Sequence, residues 1–252
     1  MITLLNGQME SKEVLLSRMN DDSFYYGELN KYALSSSSIK NLLQSPKKWR
    51  FSKMDGDSAD LRVGKLLHAY ILEPYKIDRF HFVSTKTAAS KEYQEASAIY
   101  DEVFTQDDKE KAERLVWAFN SNPQAMELIN GGRYEVPEIG EIGAFPFRAK
   151  ADVLKDFELV DVKTTSGGLE NFKWSAKKYG YDVQAFIYCS LFNIPFTGFK
   201  FLVIDKGTLD IGIFDISEEF YEEGRERTMR GIDLYLEWKD RDVNEYVLRG
   251  IL

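Results

Sequence analysis

The sequence predicts an α/β protein: a mixed central β-sheet flanked by helices, with a mostly helical N-terminal part. Two observations carry this. Apolar residues recur at helical spacing over about residues 34–130 and again over 217–240, whereas residues 131–216 hold strand-like runs interrupted by helices. The strands come as three and then two, an order that builds a mixed sheet. No internal repeat, low-complexity tract or Pro/Gly-rich linker divides the 252 residues, so one domain over 1–252 is expected.

The elements follow in order. The serine tract Ser35–Ser38 precedes Ile39, Leu42 and Leu43, which share a face; serines accept hydrogen bonds from the free N–H groups of a helix start, and Pro46 ends this helix or opens the next turn. A second helix is expected from about Asp60 to Leu72, stopping before Pro74. Two more are expected near Ser90–Phe104 and Lys109–Phe119. Arg133–Ile142 and Ala144–Leu154 read as a hairpin turning at Gly143, and Leu159–Lys163 as a short strand returning at Lys155–Asp156. Gly167–Gly168 breaks the chain. Helices are expected over Lys173–Lys178 and Asp182–Phe192, a hairpin over Gly198–Asp205 and Leu209–Ile216, and a long amphipathic helix over Glu218–Trp238.

Composition narrows the class. At 44% hydrophobic and 29% charged residues the chain has the makings of a packed core. Its single cysteine, Cys189, excludes a disulfide within the chain and a four-cysteine zinc or iron–sulfur site, so no iron–sulfur cluster is expected. Met1–Gly7 is too short for a signal peptide and no apolar run is long enough to span a bilayer, which leaves a cytoplasmic location as the default expectation and no membrane partner. The net charge of -8 opposes nucleic-acid binding for the molecule as a whole. A duplex touches one patch, however, and carboxylates gathered to hold divalent cations count as acidic until the cations bind.

The stretch that carries chemistry is Ala151-Asp152 followed by Asp161-Val162-Lys163-Thr164-Thr165. Strand alternation places Asp161 and Lys163 on one face and Val160 and Val162 on the other. The return at Lys155–Asp156 brings Asp152 beside Asp161. Two carboxylates suffice, with water and a substrate phosphate, to hold Mg²⁺ or Mn²⁺, one ion or two. Such a metal polarises a phosphoryl oxygen, and an adjacent lysine stabilises developing negative charge. Asp-x-Lys alone is common on a surface strand; the hairpin aspartate and the apolar Val160 and Val162 make the pattern more specific. Glu135 offers a third carboxylate, with Glu138 and Glu141 as competitors. Gln184 and Tyr188 are a helical turn apart and share a face. His68 lies among apolar neighbours on its helix, where a core histidine and a ligand are both open readings. Lys47, Lys48 and Arg50 around Trp49, and Lys173, Lys177 and Lys178 around Trp174, combine cations with an aromatic in the way that suits phosphate contact and base stacking.

Gly64-Lys65-Leu66-Leu67-His68 with Leu72-Glu73-Pro74 resembles the Gly-x-x-x-His and Leu-Glu-Pro signature of RecE-type, exonuclease VIII-like phage and prophage exonucleases, within the RecB-like group of PD-(D/E)XK nucleases. Leu34-Ser35-Ser36-Ser37-Ser38 with Ser45-Pro46 is similar to their N-terminal helix motif, Asp161-Val162-Lys163-Thr164-Thr165 to their Asp-x-Lys-Thr-Thr core, and Tyr181-x-x-Gln184-Ala185-x-x-Tyr188 to their Gln-x-x-x-Tyr helix. The resemblance runs from about Leu34 to Ile204 in motif order. Ala151 replaces the proline before the first aspartate. The resemblance implies a restriction-endonuclease-like core and a metal-dependent exodeoxyribonuclease. In it Asp152, Asp161, His68 and the backbone carbonyl of Val162 would hold the metal, Lys163 would assist the attacking water, Glu135 would supply an acidic group, and Gln184 and Tyr188 would shape the site. It further implies 5′ to 3′ degradation of linear duplex DNA, a homo-oligomeric ring and a single-strand-annealing partner in phage-type recombination. A single-strand- or structure-specific DNase of the same fold, or a catalytically silent DNA-binding or anti-defence protein, are the alternatives. No Gly-x-x-x-x-Gly-Lys-[Ser/Thr] loop occurs, so the chain carries no motor of its own.

Overall fold

A computed structural model describes residues 1–51 and 58–248. The chain opens with two short paired strands, β1 (Ile2–Thr3) and β2 (Met9–Glu10), helix α1 (Lys12–Arg18) and a π-helical turn over Ser23–Glu28. Ser35, extended, accepts a hydrogen bond from the N–H of Ser38 at 3.2 Å and so starts α2 (Ser36–Gln44). Pro46 opens α3 (Pro46–Phe51), where its missing N–H has no partner to lose. Ser58 caps α4 (Ala59–Leu72) in the same way as Ser35 caps α2.

The helix expected over Ser90–Phe104 is shorter. β3 (His81–Val83) is followed by α5 (Lys91–Ser97) and then by β4 (Val103–Thr105), which pairs parallel with β3. Tyr93 and Ala96 supply the apolar face of α5, but Val103, Phe104 and Thr105 are all buried, and the Phe104 ring packs on Phe80 and Phe82 at 4.9 and 5.9 Å. A run of β-branched and aromatic residues buried on every side is satisfied by a strand rather than by a helix with one apolar stripe. Thr105 and Asp108 then form a reciprocal capping box that starts α6 (Gln106–Asn120), three residues before the expected start, and α7 (Pro123–Ile129) completes the helical part.

Next come β5 (Arg133–Ile142), β6 (Phe145–Leu154) and β7 (Leu159–Thr165), then α8 (Phe172–Lys178) and α9 (Tyr181–Phe192), then β8 (Phe199–Asp205), β9 (Ile211–Asp215) and α10 (Glu218–Trp238). The five strands form one mixed sheet in the order β5-β6-β7-β8-β9. All neighbours are antiparallel except β7 and β8, whose parallel pairing requires the crossover that α8 and α9 provide. One face of the sheet, through Phe147, Ala149, Ala151, Leu159, Phe199 and Phe201, packs against α2, α8, α9 and α10. The other face is covered in two parts. Val153, Val160, Val162, Leu202 and Ile204 meet α4, α6 and α7, while Ile139 meets the N-terminal segment through Leu15, Met19, Phe24 and Tyr25. Gly224 permits a close crossing of α10 over α9, since a Cβ there would lie 2.1 Å from the Asp182 carbonyl oxygen.

Candidate metal centre

Strand β7 is bound very differently on its two sides. It pairs with β8 continuously from Leu159 to Thr165, but with β6 only at Val153↔Val160 and Leu154↔Leu159. Beyond those two pairs the Val162 N–H donates to the Asp152 carboxylate at 2.7 Å. The alternation of β6 slips at the same place: Phe147, Ala149 and Ala151 lie in one core and Val153 in the other. Opposite Asp152 in the β5–β6 register stands Glu135, with φ +49° in the left-handed region that a non-glycine residue occupies only under constraint. The sheet therefore opens at Asp152, and the strained Glu135 turns into the opening.

His68 on α4 faces it. Its Nε2 lies 3.1 Å from the Val162 carbonyl oxygen and 3.8 Å from Asp152, and its Nδ1 lies 3.5 Å from Glu135. One ligand atom from each of His68, Glu135 and Asp152 lies within 4.8 Å of the others. An imidazole nitrogen, carboxylate oxygens and a carbonyl oxygen gathered this closely make a donor set that could hold a divalent cation. Glu138, a competitor of Glu135, is paired with Lys12 at 2.8 Å instead.

Asp161 stands beside this group, fully buried. Its Oδ1 accepts from Gln184 on α9 at 2.6 Å and its Oδ2 lies 2.5 Å from the Lys163 ammonium. Tyr188, one turn beyond Gln184, is also buried. Charges crowd here, and the proton affinities show it. Burial pushes Asp161 up to about 6 against the pull of Lys163, and burial likewise raises Asp152 against His68 and Lys163. For His68, burial disfavours the charged ring, but the carboxylates of Asp152 and Glu135 outweigh it and raise the imidazole to about 9. Lys163 is raised too, burial being overcome by Asp161 and Asp152. A metal ion held through His68 would have to displace a ring proton.

The two basic–aromatic clusters sit in unlike surroundings. On α8, Trp174 is 65% exposed with Lys173 5.2 Å over its ring, and Lys178 lies 5.6 Å over Tyr179. The Tyr179 ring lies 6.0 Å from Tyr181, whose ring is 5.3 Å from the Lys163 ammonium, so this face leads to the centre. Lys177 is paired with Glu223 at 2.8 Å. On α3, Lys48 donates to Gln44 at 2.6 Å, Trp49 packs edge-on against Tyr235, and Arg50 donates to the carbonyls of Trp238 and Lys239 at 2.7 and 2.9 Å. Arg50 thus caps α10 with the positive charge that a helix C-terminus favours. Lys47 is exposed on the same helix.

Sequence reading passed over a group beside the centre. Arg148 and Lys150 precede Asp152 at strand spacing on β6 and are 4% and 7% exposed. Lys150 donates to Asp22 at 2.7 Å, Asp22 also meets Lys76 at 3.1 Å, and Tyr25 lies under both β6 cations. The alternation Arg148-x-Lys150-x-Asp152 was visible; its partners, more than a hundred residues away in sequence, were not.

A strand bearing Asp-x-Lys, flanked by an aspartate where the sheet opens, defines the PD-(D/E)XK class, and this chain has that fold. The family comparison agrees: the model of the PDDEXK-like domain of unknown function (DUF3799) matches residues 35–245, and the chain belongs to that family. Among solved structures it is similar to a protein from Eubacterium rectale described as "Putative exonuclease", at 18% identity and TM-score 0.61, over 98% of this chain and 97% of that one. A second structure, SSO0001, aligns at 16% identity over 75% of this chain and 84% of its own, with a TM-score of 0.29 that carries no structural argument. No relative was found among curated proteins.

Proposed function

We propose that this protein is a divalent-metal-dependent DNA nuclease, and within that class an exonuclease that degrades linear duplex DNA from its 5′ ends. The observation that carries the reading is the meeting of His68, Glu135, Asp152 and the Val162 carbonyl where β6 and β7 part, with Asp161 and Lys163 next to them. Asp161 joins Asp152 and His68 as a ligand in this reading. Bound Mg²⁺ or Mn²⁺ would supply Lewis acidity at the phosphoryl oxygen. Lys163, fixed by Asp161, orients the attacking water and stabilises the charge that develops on phosphate. Gln184 on α9 holds Asp161, and in this reading Tyr188, one turn further on, shapes the far wall. Lys173, Trp174 and Lys178 extend the site along α8 as a path of cations and stacking surfaces for a DNA strand.

The exonuclease assignment, the 5′ polarity, a ring-shaped oligomer and an annealing-protein partner rest on the motif resemblance; the description of the Eubacterium rectale neighbour supports the first of these. The test is digestion of end-labelled linear duplex, linear single-stranded and covalently closed circular DNA with Mg²⁺, Mn²⁺ or EDTA. Metal-dependent loss of linear duplex from the 5′ label, with circles spared, is the expected result. Cleavage of circles would make it an endonuclease, and retained DNA binding without cleavage in either metal would make it a silent DNA-binding protein.

A further inference from the structure

We infer that Arg148 and Lys150 on β6, with Lys76, form a binding site for a phosphodiester group of the substrate, and that the Asp22 carboxylate holds the place of that group in the free protein. The nuclease reading supplies only the identity of the anion. Arg148 and Lys150 occupy successive same-face positions of one strand, roughly 6.6 Å apart by strand geometry, and Asp152 follows two residues on, where the alternation slips. Two buried cations side by side repel each other and call for an anion. Lys150 finds one in Asp22 at 2.7 Å, and the same carboxylate also meets Lys76 at 3.1 Å. Arg148 has no carboxylate within ion-pair distance among the described residues. One of its terminal nitrogens donates to Asn30 at 2.6 Å, and its buried Nε–H has no acceptor. Lys76 also meets Glu73 at 2.8 Å. The β6 cations are set deep in the fold, while the anion between Lys150 and Lys76 stands at the surface: the Asp22 side chain is 48% exposed and precedes a single π-helical turn.

A carboxylate shared by two ammonium groups presents two anionic oxygens, as the non-bridging oxygens of a phosphodiester do. Asp22 can swing into water once a phosphate takes its place, whereas buried Lys150 cannot follow it. One strand step separates Lys150 from Asp152, so a nucleic-acid strand with one phosphate at the metal group can lay a neighbouring phosphate between Lys150 and Lys76. Asp22 and Tyr25 come from the segment preceding residues 35–245, so this part of the site lies outside the region the family model matches.

The test is binding of a fluorescein-labelled oligonucleotide in EDTA, where cleavage cannot intervene. Asp22→Ala is expected to tighten binding about threefold or more, and Lys150→Met to weaken it for every sequence and lower the slope of log affinity against log salt by about 1. The double variant is expected to match Lys150→Met, because the gain from removing Asp22 needs Lys150. Unchanged or weaker binding by folded Asp22→Ala, or by Asp22→Asn if the alanine variant unfolds, overturns the inference. Inorganic pyrophosphate separates it from the nuclease reading. A rise in Tm on adding pyrophosphate that is larger in Asp22→Ala than in wild type and lost in Lys150→Met sustains the anion site even if no DNA is cut; no rise in either overturns it even if DNA is cut.

Discussion

Two buried ion pairs, both dependent on the surroundings of α4, serve opposite ends. At the start of α4, Arg62 meets Asp108 through Nε at 2.6 Å and through a terminal nitrogen at 3.3 Å, and Asp108 also accepts from the N–H and hydroxyl of Thr105 at 2.9 and 2.8 Å. The pair joins α4 to the capping box of α6, in an otherwise apolar core. Opposite the far end of α4, Asp161 meets Lys163 at 2.5 Å, but Asp152 and Glu135 crowd the same opening and Lys163 keeps 18% of its side chain exposed. The difference teaches that burial of charge does not by itself mark a site. One pair lies within a core that is otherwise apolar; the other sits among further carboxylates, Asp152 and Glu135, on the same opening.

Breaking each pair should therefore register in different measurements. Asp161→Asn is expected to lower the cleavage rate by about a thousandfold, the scale set by removing one well-placed electrostatic group. Its Tm should stay the same or rise, since the substitution relieves repulsion among the carboxylates. A thousandfold loss accompanied by a fall of many degrees in Tm would place Asp161 with the structural pairs. Asp108→Asn should do the reverse, lowering stability by about 3 kcal/mol, typical of breaking a buried ion pair, while the activity of the folded fraction is retained. Denaturant unfolding together with activity per folded molecule reads this directly.

Three smaller effects sharpen the contrast. His68→Gln is expected to weaken Mn²⁺ binding roughly 10- to 100-fold, as for loss of a group that sets a metal site, with a change in Tm of only a few degrees. Titration calorimetry with Mn²⁺ measures it, and normal affinity with a collapsed Tm would return His68 to the core. Arg50→Ala should reduce stability by about 1 kcal/mol or less, the scale of a helix-terminus charge, and leave DNA affinity unchanged. A clear loss of DNA affinity would restore Arg50 to the DNA surface. Cys189, buried and with its thiol pushed up to about 12 by burial, should resist alkylation at neutral pH until the chain unfolds.

Local patterns made most of this fold legible. Serine caps, Pro46, and the apolar alternation of residues 133–163 are signals carried within a few residues, and the elements they indicate are present. The failures lie where the deciding contact is distant. Phe104 reads as the end of a helix until Phe80 and Phe82 are known to lie against it. The N-terminal segment has weak periodicity because its helices are short and its core residues, Leu15, Met19 and Phe24, gain their meaning from Ile139 on β5. In the centre, the motif order pointed to Asp152, Asp161, Lys163 and His68 as a set. Which glutamate faces them was undecided between Glu135, Glu138 and Glu141, because that choice turns on a backbone angle rather than on spacing. Arg50 reads as a DNA-contacting cation because nothing in the sequence places the end of α10 beside it.

That backbone angle has an evolutionary side. Residue 135 sits where glycine or asparagine would rest more easily; relieving a left-handed non-glycine residue is worth on the order of 1 kcal/mol. A library of variants ranked by heat resistance alone should therefore enrich Gly and Asn at this position, and those winners would lack a carboxylate at the opening of the sheet. The same library ranked by DNA cleavage should keep Glu. If Glu135 serves the proposed cleavage, position 135 is a place where selection for durability and selection for chemistry pull the sequence in different directions, and lineages without that activity should be recognisable by its loss.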